Sequence, residues 1–163
     1  MNTTNPTAQN ADVNGLITAI SHNKEDGVLS RFLGAQSWYI VADYLHPKKF
    51  ERDHVLVSQG ALDRKLYFLE SGSLKVDVKT DTGFAQLAIL GPGTVVGEGS
   101  FFSHLSRNAS VLTYSACKVW ELSPSDFEAL SKKHPNVALS LSMALGAILA
   151  IRMLDVSRRI SVT

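Results

Sequence analysis

The 163-residue chain has one cysteine, Cys117, so no intrachain disulfide can staple it; a lone thiol in an apolar stretch reads as a core strand residue in a reducing, cytoplasmic setting. It has almost no net charge. Sixteen basic and 15 acidic residues leave +1, and no basic run exceeds Arg158-Arg159, which argues against direct nucleic-acid binding. The five histidines, His22, His46, His54, His104 and His134, stand singly, without the His-x-His and following Glu of a β-roll metal site. Ser and Asp residues form no nucleophile elbow. The expectation is therefore no metal, no catalytic set and no cofactor, a binding protein rather than an enzyme. Residues 1–15, rich in Asn, Thr, Ala and Gln, lack the apolar core of a signal peptide and read as a flexible lead-in.

With 45% apolar and 19% charged residues, the chain can bury the core of one globular domain, placed at 16–163. Helical spacing runs from Ala11 to Leu45, through Leu16, Ile17 and Ile20, then Val28, Leu29, Phe32 and Leu33, then Trp38, Ile40, Val41 and Leu45, and closes at Pro47. From about 50 to 122 the period changes to two: Leu74, Val76 and Val78 alternate with Lys75, Asp77 and Lys79, and Asp81-Thr82-Gly83 turns the chain back. Short strands punctuated by glycine indicate an antiparallel roll or barrel. Helices follow at about 124–160, opened by Ser123-Pro124-Ser125-Asp126, with a capping serine, a proline in the first helical position and an acid at the third.

From Val137 to Ile151 the last helix carries no charge. Fifteen residues with two serines and a glycine fall short of a membrane span, so none is expected. An apolar surface around most of a helix needs two partners, its own roll and something else. The expectation is a homodimer through Leu141, Leu145, Ile148 and Ile151.

The most informative segment runs from Val95 to Val111: Val-Val-Gly97-Glu98-Gly99-Ser100-Phe101-Phe102-Ser-His-Leu-Ser-Arg107-Asn108-Ala109-Ser-Val. A Gly-Glu pair opening a short turn, with Arg-x-Ala nine residues later, can gather a carboxylate, free backbone N–H groups and a guanidinium around one small anion. The plainer reading is an ordinary ion pair between Glu98 and Arg107 beside turn glycines.

The segment resembles the phosphate-binding cassette of the cyclic nucleotide-binding domain family. Gly60, Gly72 in Glu70-Ser71-Gly72-Ser73, Leu90-Gly91-Pro92-Gly93 and Trp120-Glu121-Leu122-Ser123 flank it in the family's order, and the likeness covers about Trp38 to Leu154. The resemblance implies an α+β, mainly β fold: an antiparallel double-stranded β-roll, jelly-roll-like, with N-terminal helices and a long C-terminal helix. It implies a sensor of cyclic AMP or cyclic GMP that couples the ligand to movement of that helix. A cyclic phosphate suits an Arg fork or the first N–H groups of a helix, roles for Arg107 and for Gly99 and Ser100. Glu98, repelled by the phosphate, is best placed on the ribose 2′-OH, the role the family gives its matching glutamate. Gly97 and Gly99 let the backbone approach the ligand, and Asn108 and Ala109 complete the cassette.

Counting along the resemblance places Arg152 beside the base, where the family has small hydroxylated residues. An arginine there can stack on a purine or donate to guanine acceptors. Asn108 stands where a threonine would indicate cyclic GMP, so base preference stays open. Asp53 replaces a usual glycine and no proline precedes Arg107. With the chain ending at Thr163, the resemblance implies a stand-alone sensor or a regulator cut short, its effector protein unspecified. A cassette that has lost its ligand and survives as a dimeric scaffold is the alternative.

Overall fold

The structure, a computed structural model, describes residues 12–23 and 27–161. Helices α1 (Asn14–His22), α2 (Leu29–Phe32) and α3 (Ala35–Ala42) lead into strands β1 (His46–Phe50), β2 (Val55–Val57), β3 (Leu66–Ser71), β4 (Leu74–Thr80), β5 (Gly83–Leu90) and β6 (Val95–Val96). Helix α4 (Glu98–Ser103) precedes β7 (Ser110–Thr113) and β8 (Cys117–Leu122), and α5 (Pro124–Lys133) and α6 (Pro135–Ser161) follow. Most of the expected lead-in, residues 1–11, lies outside the described residues. Val13 is fully buried, so the packed domain begins slightly before residue 16.

Two antiparallel four-stranded sheets form the roll, ordered β1-β8-β3-β6 and β2-β7-β4-β5. Strand β3 shows how they share the core. Leu66 and Phe68 point to the helices while Tyr67 and Leu69 point into the roll, so four consecutive residues are buried. A strand covered on both faces reads as a continuous apolar run. Strand β8 divides alike, with Trp120 and Leu122 toward the helices and Cys117 and Val119 inside.

The N-terminal helices pack on the first sheet, with Leu16, Ile20, Leu29, Trp38 and Val41 in one cluster with the inward face of α6. The α5 start is as expected: Ser123 Oγ accepts from the Asp126 N–H at 3.1 Å and Pro124 opens the helix. Asp53 adopts φ 67°, the left-handed conformation that explains why glycine suits the position and why an aspartate, among the more tolerant residues, replaces it.

The roll begins earlier than expected, at His46. Its first strand, His-Pro-Lys-Lys-Phe, is an edge strand with four exposed residues, so it carries no apolar alternation to read.

The expected dimer seam is corrected. Leu141, Leu145 and Ile148 are buried inside their own domain, and Ile151 packs against the same cluster. The outward face is Leu139, Met143, Gly146, Ala150 and Met153. Length is corrected too: Pro135–Asp155, 21 residues, is long and apolar enough to cross a membrane, and only the packing of its inner face on the roll argues for a core helix instead.

Candidate functional site

The chain leaves the roll at β6 and turns through Gly97 with φ 98°, which only glycine adopts without strain. Helix α4 starts there, its first helical bond running from the Phe101 N–H to the Gly97 carbonyl at 3.1 Å. The loop after α4 returns to β7 through Arg107, whose backbone is fixed at both ends. Its N–H donates to the Ala61 carbonyl at 2.8 Å, and its carbonyl accepts from the Gly60 N–H at 2.7 Å.

The Arg107 side chain is nearly fully buried. Nη2 donates to Asp63 Oδ1 at 2.6 Å and to the Lys65 carbonyl at 2.7 Å, Nη1 to the Gly97 carbonyl at 3.0 Å, and Nε to Asp63 Oδ2 at 3.3 Å. The guanidinium thus stitches the 63–65 loop to the Gly97 turn, and four of its five N–H groups are accounted for. Beside it, Arg64 Nη2 donates to the Phe101 carbonyl at 2.8 Å.

Glu98 does not pair with Arg107. Its side chain is only about 10% exposed, and Oε1 accepts from Arg152 Nη1 at 2.5 Å. Arg152, on α6, also donates through Nη2 to the Val95 carbonyl at 2.9 Å and to Thr94 Oγ1 at 3.2 Å. The plain Glu98–Arg107 ion pair is therefore absent; each charge takes a different partner.

All eight residues singled out from the sequence, Gly97, Glu98, Gly99, Ser100, Arg107, Asn108, Ala109 and Arg152, line one cavity of about 840 Å³. Its other walls are mostly apolar, with Val57, Val76, Leu87, Ile89, Val111, Leu149 and Met153, and include one acidic residue, Asp155. A smaller cavity of about 430 Å³, against Phe102 and Leu105, shares Gly99, Ser100, Asn108 and Leu149 with it.

Sequence reasoning missed Asp63. The run Asp63-Arg64-Lys65 ahead of an apolar strand was a signal, but a partner 44 residues from Arg107 cannot be read from spacing. Leu87 was missed as well. The β4–β5 register shifts between Val76, opposite Ala88, and Asp77, opposite Gln86, leaving Leu87 as the extra residue of a bulge. Bulges re-aim side chains in this way.

Burial pushes the Asp63 carboxyl up, but the hydrogen bond and charge of Arg107, helped by Lys65, outweigh it and hold the group below its ordinary value of 3.8. Glu121 behaves alike: burial raises it, and Lys48 at 2.9 Å and Lys65 at 3.1 Å bring it below 4.5. Tyr67 lies between these groups; burial, then the charges of Glu121 and Asp63, push its phenol up to about 12.

Carboxyls depressed by folding contribute stability that is complete above their ordinary values and is lost as pH falls through the folded ones. Acidification from neutral pH to below about 4 is expected to lower the urea midpoint. Asp63→Asn should be less stable at pH 7 yet lose less between pH 4.5 and 3. An unchanged acid limb in this variant would exclude Asp63 from the titration.

Similarity to known proteins is consistent along the chain. The cyclic nucleotide-binding domain profile matches residues 47–134, more than half the chain. The cAMP-activated global transcriptional regulator CRP of Salmonella typhimurium is 29% identical over 136 residues, 77% of this chain and 64% of that protein. The chain thus spans under two thirds of that relative's length. A cyclic nucleotide-binding domain from Methylobacillus flagellatus KT superposes with a TM-score of 0.79 at 18% identity, over 91% of this chain and 84% of the other, a likeness of fold. The regulatory domain of Toxoplasma gondii PKA, crystallised with cAMP, superposes with a TM-score of 0.62 at 26% identity, over 73% and 44% of the two chains.

Proposed function

The chain belongs to the cyclic nucleotide-binding domain family, and we propose that it is a regulatory module, not an enzyme, that binds one cyclic purine nucleotide, cyclic AMP or cyclic GMP, in the 840 Å³ cavity. The observation that carries this reading is the convergence on one cavity of the cassette, from Gly97 to Ala109, and Arg152 of α6. In this reading the remaining Arg107 N–H and the first N–H groups of α4, around Gly99 and Ser100, hold the phosphate. Glu98 takes the ribose 2′-OH, and the mostly apolar wall, which also holds Asp155, takes the purine. Because Arg152 ties α6 to the glutamate that meets the sugar, ligand occupancy and the position of α6 share a contact, and α6 carries the signal.

Thermal denaturation tests this. Nucleotide at about a hundred times its dissociation constant stabilises the folded state by about 2.7 kcal/mol, raising Tm by roughly 5 to 10 °C for a domain of this size. Cyclic AMP or cyclic GMP should give this shift and 5′-AMP should not. A ligand-free scaffold is the second reading, favoured by the protein partners that both cassette charges already have. It is supported if no cyclic nucleotide moves Tm.

The reading includes a homodimer, now through the outer stripe of α6. Leu139, Met143, Gly146, Ala150 and Met153 follow spacings of four and three residues, the heptad pattern of a two-helix seam, and the small central pair permits close approach. Met143→Glu buries an unpaired charge twice in a symmetric seam, at several kcal/mol, and should give monomers by sedimentation with Tm little changed. Leu145→Glu should instead unfold the domain, because Leu145 is in its core. A wild-type chain that is monomeric at tens of micromolar would remove the dimer.

A further inference from the structure

Helix α4 is only six residues long, too short to hold its own shape, so its position depends on what grips its two ends. The first grip is at the Gly97 carbonyl, which accepts from the Phe101 N–H and from Arg107 Nη1. The second is at the Phe101 carbonyl. A longer helix would bring it the Leu105 N–H, but His104 turns left-handed at φ 61° and the Leu105 N–H donates to Ser103 Oγ at 3.1 Å. A last-turn carbonyl orphaned in this way needs a donor from outside the helix. Arg64 supplies it: Nη2 donates at 2.8 Å, and the guanidinium carbon lies 5.9 Å from the centre of the Phe101 ring. That ring is buried and meets Phe127 of α5 edge-on at 5.1 Å, which braces the contact from behind. Arg64 is held at a cost. Its neighbours Asp63 and Lys65 pair with Arg107 and Glu121, no carboxylate pairs with Arg64 among the described residues, and its Nε is buried without an acceptor.

We propose that Arg64 is a positioning residue for the cyclic phosphate: acting through the Phe101 carbonyl, it fixes the Gly99 and Ser100 N–H groups on one of the two exocyclic oxygens and leaves the oxygen facing Arg107 untouched. This rests on the cyclic-nucleotide reading above. Arg64 lines neither cavity, so it does not touch the ligand; Gly99 and Ser100 line both, and they lie in the chain between the two gripped carbonyls. Both grips come from one short loop. Asp63 and the Lys65 carbonyl hold the Arg107 guanidinium, and Arg64 between them holds Phe101. The loop is tied down in turn, with the Lys65 N–H donating to Asp63 Oδ1 at 3.3 Å and the Lys65 ammonium 3.1 Å from Glu121. It therefore sets the spacing between the guanidinium and the backbone donors, the two halves of the phosphate site. A cation that strains no contact with the ligand but orders the donors that meet it is worth keeping at a functional site.

The test is calorimetric titration of the full chain and its Arg64→Gln and Arg64→Lys variants with cyclic AMP and its Rp and Sp phosphorothioate analogues, each of which replaces one exocyclic oxygen by sulfur, a poorer acceptor. The wild type should bind each analogue about five-fold or more weakly than cyclic AMP, part of what a hydrogen bond to a charged group is worth. Arg64→Gln should weaken cyclic AMP, shrink the gap to one analogue to about two-fold or less, and leave the gap to the other within about two-fold of its wild-type value. Arg64→Lys, which keeps the charge and a donor, should largely restore the lost gap. Arg107→Lys, titrated as the control, should collapse the other gap; both variants acting on the same analogue overturns the proposal. Equal weakening of all three ligands, which a merely structural role produces, overturns it, as do the loss of both gaps, wild-type behaviour in Arg64→Gln, an Arg64→Gln chain that does not fold, and a wild type that binds all three ligands alike. A wild type that binds none of the three overturns the cyclic-nucleotide reading and this proposal together.

Discussion

Arg107→Ala is expected to lose both ligand affinity and fold stability, and the two losses have separate origins. The ligand loses a charge-assisted hydrogen bond, about 1.5 to 3 kcal/mol, which is a ten- to 150-fold weaker dissociation constant. The fold loses the stitch between the Gly97 turn and the 63–65 loop, removing the guanidinium donor from the Lys65 carbonyl and leaving the Gly97 carbonyl with only its bond from the Phe101 N–H. Because Asp63 is 42% exposed it can rehydrate, so the cost stays near 2 to 4 kcal/mol rather than that of stranding a fully buried charge. Arg107→Lys should recover little, since one ammonium on a flexible stem cannot reproduce a fork spanning Asp63 and two carbonyls on different segments. Urea unfolding gives the stability term, and titration at a temperature where the variant is folded gives the affinity term. A variant as stable as wild type would mean the stitch contributes nothing to the fold.

Gly97→Ala is expected to be the most damaging single-methyl change in the cassette. A Cβ at this position would lie 2.5 Å from the Lys65 carbonyl oxygen and 2.8 Å from Arg107 Nη1, on a backbone with φ 98°. Left-handed strain costs about 1 to 2 kcal/mol for a residue with a Cβ, and the clash adds displacement of the guanidinium that holds the turn. A total of about 3 kcal/mol or more and severe loss of binding should follow. Gly99→Ala is the control. Nothing lies within 4 Å of a Cβ there, so stability should move by no more than about 0.5 kcal/mol, while binding weakens if the ligand occupies that space. Equal stability changes in the two variants would show that the tight turn is not what makes Gly97 necessary.

The cassette was legible in the sequence because it is local. Gly97, Glu98 and Arg107 lie within one loop-helix-loop, and the turn glycines before it punctuate strands at readable spacing. The roll and the N-terminal helices were legible through periodicity, as was the α5 start through its cap.

What escaped depends on long-range pairing. Asp63 itself, and the pairing of Arg152 with Glu98, join cassette residues to positions 44 and 54 away in sequence, and neither distance leaves a pattern, although Arg152 was placed in the site by counting along the resemblance. The rotation of α6 escaped for another reason. Its middle carries apolar or small residues at nearly every position, so polarity cannot tell Leu141 and Leu145, which face the core, from Leu139 and Met143, which face outward. Only packing against the first sheet and the N-terminal helices sets that rotation. The Leu87 bulge likewise follows from strand pairing, not composition.

The central claim is that one cavity of this chain recognises a cyclic phosphate diester on a ribose. Isothermal titration of refolded, nucleotide-free protein with cyclic AMP and with cyclic GMP, each against 5′-AMP, tests it most directly. Saturable binding of one cyclic nucleotide per chain, with 5′-AMP at least ten-fold weaker because its dianionic, open phosphate does not match the cassette, is the expected result. No heat with either cyclic nucleotide at millimolar concentration, from protein whose unfolding remains cooperative, would contradict it.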